Sequence, residues 1–205
     1  MIEVNNISVY GFAEAIRGMR NPMNSWNRSD SDYSSDCVIG EADLNLMQNL
    51  ISAGSSDHRK FLRMITVYAD INAPLYWWKE FDTYKVGTVA NSCSTMHKIH
   101  TKKLEFEDFS TEHLDGYCER ELERLIELLN IRIDDYNSSK NKKDWWQLIQ
   151  LLPSSYNQKR TVQLNYEVLR NMYHSRKNHK LDEWRDFCKL ITTLPYGEEL
   201  IVFNN

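Results

Sequence analysis

An α+β fold, mostly helical, follows from three features of this 205-residue sequence. Several stretches repeat apolar residues at helical spacing, most clearly Leu122, Leu125, Ile126, Leu129 and Ile133. Only 7 Gly and 4 Pro are present, too few turn formers for a sandwich of many short strands. Two segments, residues 2–9 and 64–71, are instead rich in β-branched and aromatic side chains that suit a pleated surface.

Taken in order, residues 2–9 predict a short strand through Ile2, Val4, Ile7 and Val9. Phe12 to Met19 predicts a helix with Phe12, Ile16 and Met19 on one face. Asn21 to Asp36 is rich in Ser, Asn and Asp and predicts a long loop, of a length usually reserved for function. A helix resumes at Glu41, with Leu44, Met47, Leu50 and Ile51 as its apolar face and Gly54 as its stop. Phe61 to Ile71 predicts a central strand. Asn72 is expected to cap the next helix, with Pro74 in its first turn, running from Ala73 to about Phe81. Thr83 to His100 is polar and without period. Leu114 to Tyr136 predicts a long helix broken by Asn137-Ser138-Ser139-Lys140-Asn141, and Asp144 to Leu152 a second helix ended by Pro153. Residues 164–176 and 181–194 complete a helical carboxyl-terminal third. No repeat or interdomain linker interrupts the chain, so a single domain, 1–205, is expected.

Composition narrows the function classes. Lys plus Arg is 25 and Asp plus Glu is 29, a net charge of −4, which argues against a surface that tracks a nucleic-acid backbone. No apolar run approaches the ~18 residues of a membrane span, and the amino terminus lacks the basic start and apolar stretch of a signal peptide. A cytoplasmic protein with no membrane association is expected. Cys37, Cys93, Cys118 and Cys188 form no C-x-x-C pair, and no His pair comes with a Cys or carboxylate at ligand spacing, so reduced thiols and no metal are expected.

The order and punctuation of the segments resemble the flavin-dependent thymidylate synthase family from about Ala13 to Phe187. In that family a helix ends in Gly, a Ser-containing turn leads to a His and a central strand, and Ala or Cys then precedes Pro. Here the order is Leu50-Ile51-Ser52-Ala53-Gly54, then Ser55-Ser56-Asp57-His58, then Met64 to Ile71, then Asn72-Ala73-Pro74. A long helix, a second helix ending in Leu-Pro and a nearby Tyr correspond to Leu114–Tyr136, Leu152-Pro153 and Tyr156. Asn171, His174 and Arg176, followed by Glu183-Trp184-Arg185, keep the order of the family's last helix pair. The resemblance implies a small antiparallel sheet within the helical domain.

The family's signature, R-H-R-x-x-S-x-N-x-x-S-x-R-Y, meets Thr83-Tyr84-Lys85-Val86-Gly87-Thr88 here, with Lys85 at the last Arg of the triplet and Thr88 at Ser. With one inserted residue, Asn91 and Ser94 fall on the Asn and second Ser, and Met96-His97 replace Arg-Tyr. Without it, Cys93 and Thr95 fall on that Ser and the Arg. Two arginines are absent either way, and a further phosphate-contacting Arg corresponds to Ile149. Thr and Met cannot make the bidentate fork by which Arg holds phosphate. Lys79, Lys85, Lys98, Lys159, Arg160 and Arg176 are the cations from which a phosphate site would be rebuilt.

By resemblance, FAD is the cofactor, with His58, Tyr84, Lys85, Thr88, Asn91, Asn171 and His174 lining it. NADPH and methylenetetrahydrofolate are the implied co-substrates. Glu80, Ser94 and Arg176 face a pyrimidine deoxynucleotide, dUMP or a relative, with Arg176 the catalytic residue that stabilises charge developing on the ring. The implied activity is methyl or hydroxymethyl transfer, and the implied assembly a homotetramer. Glu80 stands where the family has Gln, an acceptor in place of an amide that also donates. Each residue also has a plainer reading. His58 also suits a turn cap, and Asn171, His174 and Arg176 a solvated helix edge. Trp77-Trp78 and Trp145-Trp146 could stack on flavin or base, but at least one Trp of each pair suits the core, and Cys93, with Lys85, His97 and Lys98 near it in sequence, suits a quiet thiol more than a nucleophile. Two other functions remain open: a catalytically inactive flavin- or nucleotide-binding protein on the same fold, and a single-strand nucleic-acid binder using its aromatics as stacking platforms.

Overall fold

Four strands and eight helices follow from the local patterns in the computed structural model, which describes residues 2–34 and 37–204. The strands are β1 (Glu3–Tyr10), β2 (Thr66–Pro74), β3 (Val89–Ser92) and β4 (Asn157–Asn165). They form one antiparallel sheet in the order β1-β2-β4-β3. The helices are α1 (Phe12–Arg20), α2 (Glu41–Ser52), α3 (Leu75–Phe81), α4 (Thr95–Lys98), α5 (Gly116–Ser139), α6 (Lys142–Leu151), α7 (Tyr166–Arg176) and α8 (Asp182–Thr192). The α+β, mostly helical architecture around a small antiparallel sheet is therefore the one expected.

Contacts divide the chain into two compact units. The first holds residues 1–4, 71–83 and 91–161, and the second residues 5–70, 84–90 and 162–205. In the first unit the stripe predicted for α5 is buried: Leu122, Ile126, Leu129 and Ile133 pack with Ile99, Leu104, Phe109 and Leu148, while Leu125 and Ile149 are partly buried against them. Asp115 caps α5 by accepting from the N–H groups of Tyr117 and Cys118, the usual remedy for unpaired donors at a helix start. Trp77, Trp78 and Phe81 of α3 are fully buried and meet edge to face or tilted, with centroids 4.9–5.2 Å apart. Both members of this tryptophan pair are core, whereas in the other pair neither is, Trp145 being partly exposed and Trp146 40% exposed, which corrects the expectation of a core tryptophan there.

In the second unit α1 buries Phe12, Ala15, Ile16 and Met19, α7 buries Val168, Leu169 and Met172, and α8 buries Trp184, Phe187, Cys188 and Ile191. Residues 58–64 form 3-10 turns that pack against α1, α2 and α7.

Four local expectations are corrected. Asn72 does not cap a helix; it lies inside β2, which runs on to Pro74. The reason is alternation: Val67, Ala69, Ile71 and Ala73 are all buried at period two. The central strand starts at Thr66, not Phe61, because residues 58–64 are 3-10 turns. The aperiodic 83–100 stretch contains β3 and α4, and β4 lies in a segment assigned no structure from sequence. The long loop after α1 contains two 3-10 turns, Asn21–Met23 and Trp26–Arg28, and a bridge between Asp32 and Val38; its Ser35 and Asp36 lie outside the described residues.

Candidate functional site

The second unit brings together two residues 92 positions apart in sequence. Arg176, in the last turn of α7, donates from Nε to the Tyr84 hydroxyl at 3.0 Å. Its guanidinium lies 5.7 Å from the Tyr84 ring centroid and 5.2 Å from that of Trp184. The two rings are 6.0 Å apart and inclined by 57°. Trp184 is fully buried on α8, while Tyr84 and Arg176 are partly exposed. An arginine held at its Nε and flanked by two aromatic faces is oriented as a planar fork at the surface, the geometry suited to a carbonyl or phosphate oxygen.

The segment carrying Tyr84 is shaped by short-range bonds. The Thr88 hydroxyl donates to the Tyr84 carbonyl at 2.6 Å, closing the turn. Gly87 has φ +84°, and a Cβ there would stand 2.5 Å from Nδ2 of Asn165. Asn165 in turn caps α7, accepting from Val168 N–H at 2.9 Å. Residues 84–88 are thus fitted to both ends of α7. Lys85 is exposed in this turn.

A second cluster occupies the adjacent turns of α7. Arg59 donates from Nε and Nη2 to the two Glu167 carboxylate oxygens, both at 3.3 Å. Arg170 donates to the carbonyls of Ile201 and Phe203, and His174 places Nε2 3.1 Å from the same Ile201 carbonyl. Burial, with the Arg170 charge behind it, pushes the His174 imidazole below its ordinary pKa. Its ring therefore fastens the 201–204 segment as a neutral group. Asn171, between these residues, is exposed.

His58 is exposed after Asp57 and lines two adjoining clefts of about 850 and 440 Å³. Met19, Pro22 and Leu50 line both. The larger adds Asn24, Asn27, Arg28 and Asn49; the smaller adds Asp57, Lys60 and Phe61. Their wall is the loop after α1, and one buried carboxylate holds it. Asp43 accepts from Arg20 Nε at 2.6 Å, from the hydroxyls of Ser29 and Ser31 at 2.6 Å each, and from Asp30 N–H at 3.2 Å. Burial raises the Asp43 pKa, but the bonds from Ser29, Ser31 and Arg20 outweigh it and leave it below the ordinary value. Asp30 accepts from the N–H groups of Ala42 and Asp43, so this loop residue caps α2 from outside the helix. Gly40 is required beside it, because a Cβ there would collide with that carboxylate.

Glu80, Asn91 and Ser94 lie in the first unit. Glu80 is partly exposed on α3, Asn91 is exposed on β3, and Ser94 caps α4 by accepting from His97 N–H at 3.1 Å. Ser94 lines a cleft of about 310 Å³ with Cys93, Lys98, Lys102, Tyr156 and Lys159. Lys102 is held by Asp108 at 2.6 Å, a bond that raises the lysine pKa.

Reading from sequence missed three contributors: Trp184, Arg59 and Asp43. Glu183-Trp184-Arg185 carried part of the resemblance, yet only the fold shows the indole beneath the guanidinium. An Asp inside an otherwise apolar helix face was the available signal for Asp43. Among the described residues, no helix is long and apolar enough to cross a membrane.

No family model matches the sequence, and no curated protein matches it. The fold does find relatives. A crystal structure of thymidylate synthase X from Helicobacter pylori with FAD and dUMP is 17% identical and covers 98% of this chain and 97% of its own, with a TM-score of 0.66. A second structure, the flavin-dependent thymidylate synthase of the same organism complexed with FAD and dUMP, is 18% identical with 97% coverage of both chains and a TM-score of 0.63. Over nearly its whole length, then, this chain has the fold of the flavin-dependent thymidylate synthases.

Proposed function

We propose that the chain is a divergent flavin-dependent enzyme acting on a pyrimidine deoxynucleotide, dUMP or a close relative. The observation that carries this reading is the nearly full-length fold match to proteins crystallised with FAD and dUMP. Arg176, Tyr84 and Trp184 add local support, since this chain kept an oriented guanidinium where the resemblance places the catalytic one.

The clefts at His58 suit a flavin. Their floor is apolar, through Met19, Leu50 and Phe61, and their rim carries Arg28 and Lys60 for an anionic group. Bound FAD would supply hydride chemistry. His58 would lie against the ring, with Tyr84, Lys85, Thr88, Asn91, Asn171 and His174 as the other flavin residues and Lys85 serving phosphate. Arg176 would bind the uracil edge and stabilise negative charge on the base as it develops. Glu80 and Ser94 are the remaining nucleotide residues. The product is a methylated or hydroxymethylated base, with methylenetetrahydrofolate and NADPH as co-substrates, and the working form a cytoplasmic homotetramer.

The test is optical. The purified protein should show a flavin absorption band, and Lys85→Ala should lose flavin while melting as cooperatively as before. Loss of one charge-assisted hydrogen bond costs about 1.5–3 kcal/mol, a ten- to hundredfold drop in affinity. A colourless protein that gains no flavin on incubation with FAD would end the reading. Light scattering should return four times the chain mass.

Ile149 favours a second reading, an inactive flavin- or nucleotide-binding protein. This position, where the resemblance expects a phosphate-binding Arg, packs against the buried cluster of α5 and α6. Flavin and dUMP binding with no turnover of dUMP in the presence of NADPH and methylenetetrahydrofolate would select it.

A further inference from the structure

Between the buried residues Ile51 and Phe61 the second unit carries a stretch with no apolar anchor. Of residues 53–60 only Arg59 is partly buried; the others, His58 among them, are exposed. The turn is drawn together by its own backbone, since the N–H groups of His58 and Arg59 both donate to the Ser55 carbonyl, at 3.1 and 3.4 Å. Those local bonds give the turn its shape but do not fix where it lies on the molecule.

The Arg59 side chain does fix it. Its Nη1 donates to the Gly54 carbonyl at 3.0 Å, at the start of the turn. Its Nε and Nη2 reach the two Glu167 oxygens in the first turn of α7, both at 3.3 Å and across 108 positions of sequence. The side chains of the pair are 18% and 9% exposed, so it is largely shielded from the water and salt that weaken surface ion pairs. Glu167, Asn171 and His174 follow one another at intervals of four and three residues and therefore share one face of α7. Arg170, one turn on from Glu167, directs its own donors to the carbonyls of Ile201 and Phe203. The carboxylate is thus the helix's handle on the His58 turn, and the next arginine its handle on residues 201–204.

We propose that Arg59 is a positioning residue: its fork on Glu167 ties the turn carrying His58 to the α7 face of Asn171 and His174, so that all three address one bound flavin. The inference rests on the flavin reading and adds to it the residue that brings its distant parts into register. His58 needs such a clip because an exposed turn without apolar contacts opens readily on its own.

Arg59→Lys separates position from charge. Lysine cannot make the two-pronged contact, yet it leaves a cation beside Glu167, which avoids the cost of a buried, unpaired carboxylate. The variant should bind FAD about tenfold more weakly, the loss expected of one misplaced polar contact, with a shifted visible circular dichroism of the bound flavin and little change in melting temperature. Hydrogen exchange of the flavin-free variant should quicken at residues 55–59 and not along α7. Glu167→Gln should lose the same affinity, and the Arg59→Lys/Glu167→Gln double variant no more than the worse single, because both changes break one link. Native FAD affinity and dichroism in Arg59→Lys would overturn the proposal and leave the flavin reading standing. Unchanged exchange at 55–59, exchange quickened throughout the unit, or losses that add in the double variant would overturn it too. A native chain that takes up no FAD would end the flavin reading first and this inference with it.

Discussion

Arg20 and Arg176 stand in the same unit and are used in opposite ways. Arg20 is 4% exposed and its Nε meets a carboxylate that is itself fully buried. That carboxylate also takes two hydroxyls and a backbone N–H from the partly exposed residues Ser29 and Ser31 and from Asp30. Arg176 is partly exposed, oriented by a phenol and two aromatic faces. A guanidinium enclosed with its counter-charge organises a loop, whereas Arg176 is oriented at the partly exposed surface by a tyrosine hydroxyl and two aromatic rings. Charge alone does not separate the two roles; the neighbours do.

The contrast is sharpest at Asp43. Asp43→Asn leaves Arg20 buried without its counter-charge, and removing one partner of a buried pair costs about 3–5 kcal/mol. Chemical denaturation should show that loss, together with increased proteolysis of residues 20–31. Because the folded-state pKa of Asp43 lies below its unfolded value, the stabilisation is complete above that unfolded value, about 4. It is lost as pH falls through the folded value. The melting temperature of the native chain should therefore drop below about pH 4, and the Asn variant should lack that part of the drop. If Asp43→Asn melted like the native chain, the hub would be ornamental.

Arg176→Lys addresses the other side. Lysine keeps the charge but loses the planar fork, so dUMP binding should weaken by about 2 kcal/mol with little change in melting temperature. Titrating dUMP, dCMP and dTMP against both forms would rank the bases. A melting loss as large as that of Asp43→Asn would erase the distinction between the two arginines.

Gly87→Ala is expected to be the mildest. Its positive φ and the nearby Asn165 amide make any Cβ costly, by about 1–2 kcal/mol. The strain should displace residues 84–88 and weaken dUMP binding through Tyr84. Nucleotide affinity unchanged despite lowered stability would mean that Tyr84 holds its place without this turn.

These regions differ also in how far sequence revealed them. The α5 stripe was legible because five apolar residues repeat at helical spacing. β4 was not, although it alternates too: Gln158, Val162 and Leu164 are buried. Gln158 takes an inward place because its amide donates to the Cys93 carbonyl at 2.7 Å and accepts from Arg160. Arg160 lies over Trp78, 4.2 Å from the ring centroid, and reaches Asp82 at 2.8 Å. Polar residues satisfied in this way read as loop when only hydrophobicity is counted. In the candidate site, resemblance singled out Tyr84 and Arg176 separately. The contact of Tyr84 with Arg176 was not legible, because nothing local links positions 92 apart.

Helix α7 works as a gauge as well as a support. Asn165 at its first end touches the turn at Gly87, and Arg176 at its last end touches Tyr84, so eleven residues set the phase between the two contacts. Each residue turns an α-helix by about 100°. One residue inserted mid-helix would leave the Asn165 contact in register and swing Arg176 off the tyrosine, and one deleted would swing it the other way. Length variation that a surface loop absorbs is therefore forbidden between positions 165 and 176, and homologous chains that preserve this pairing should keep that interval constant even where every side chain between has changed.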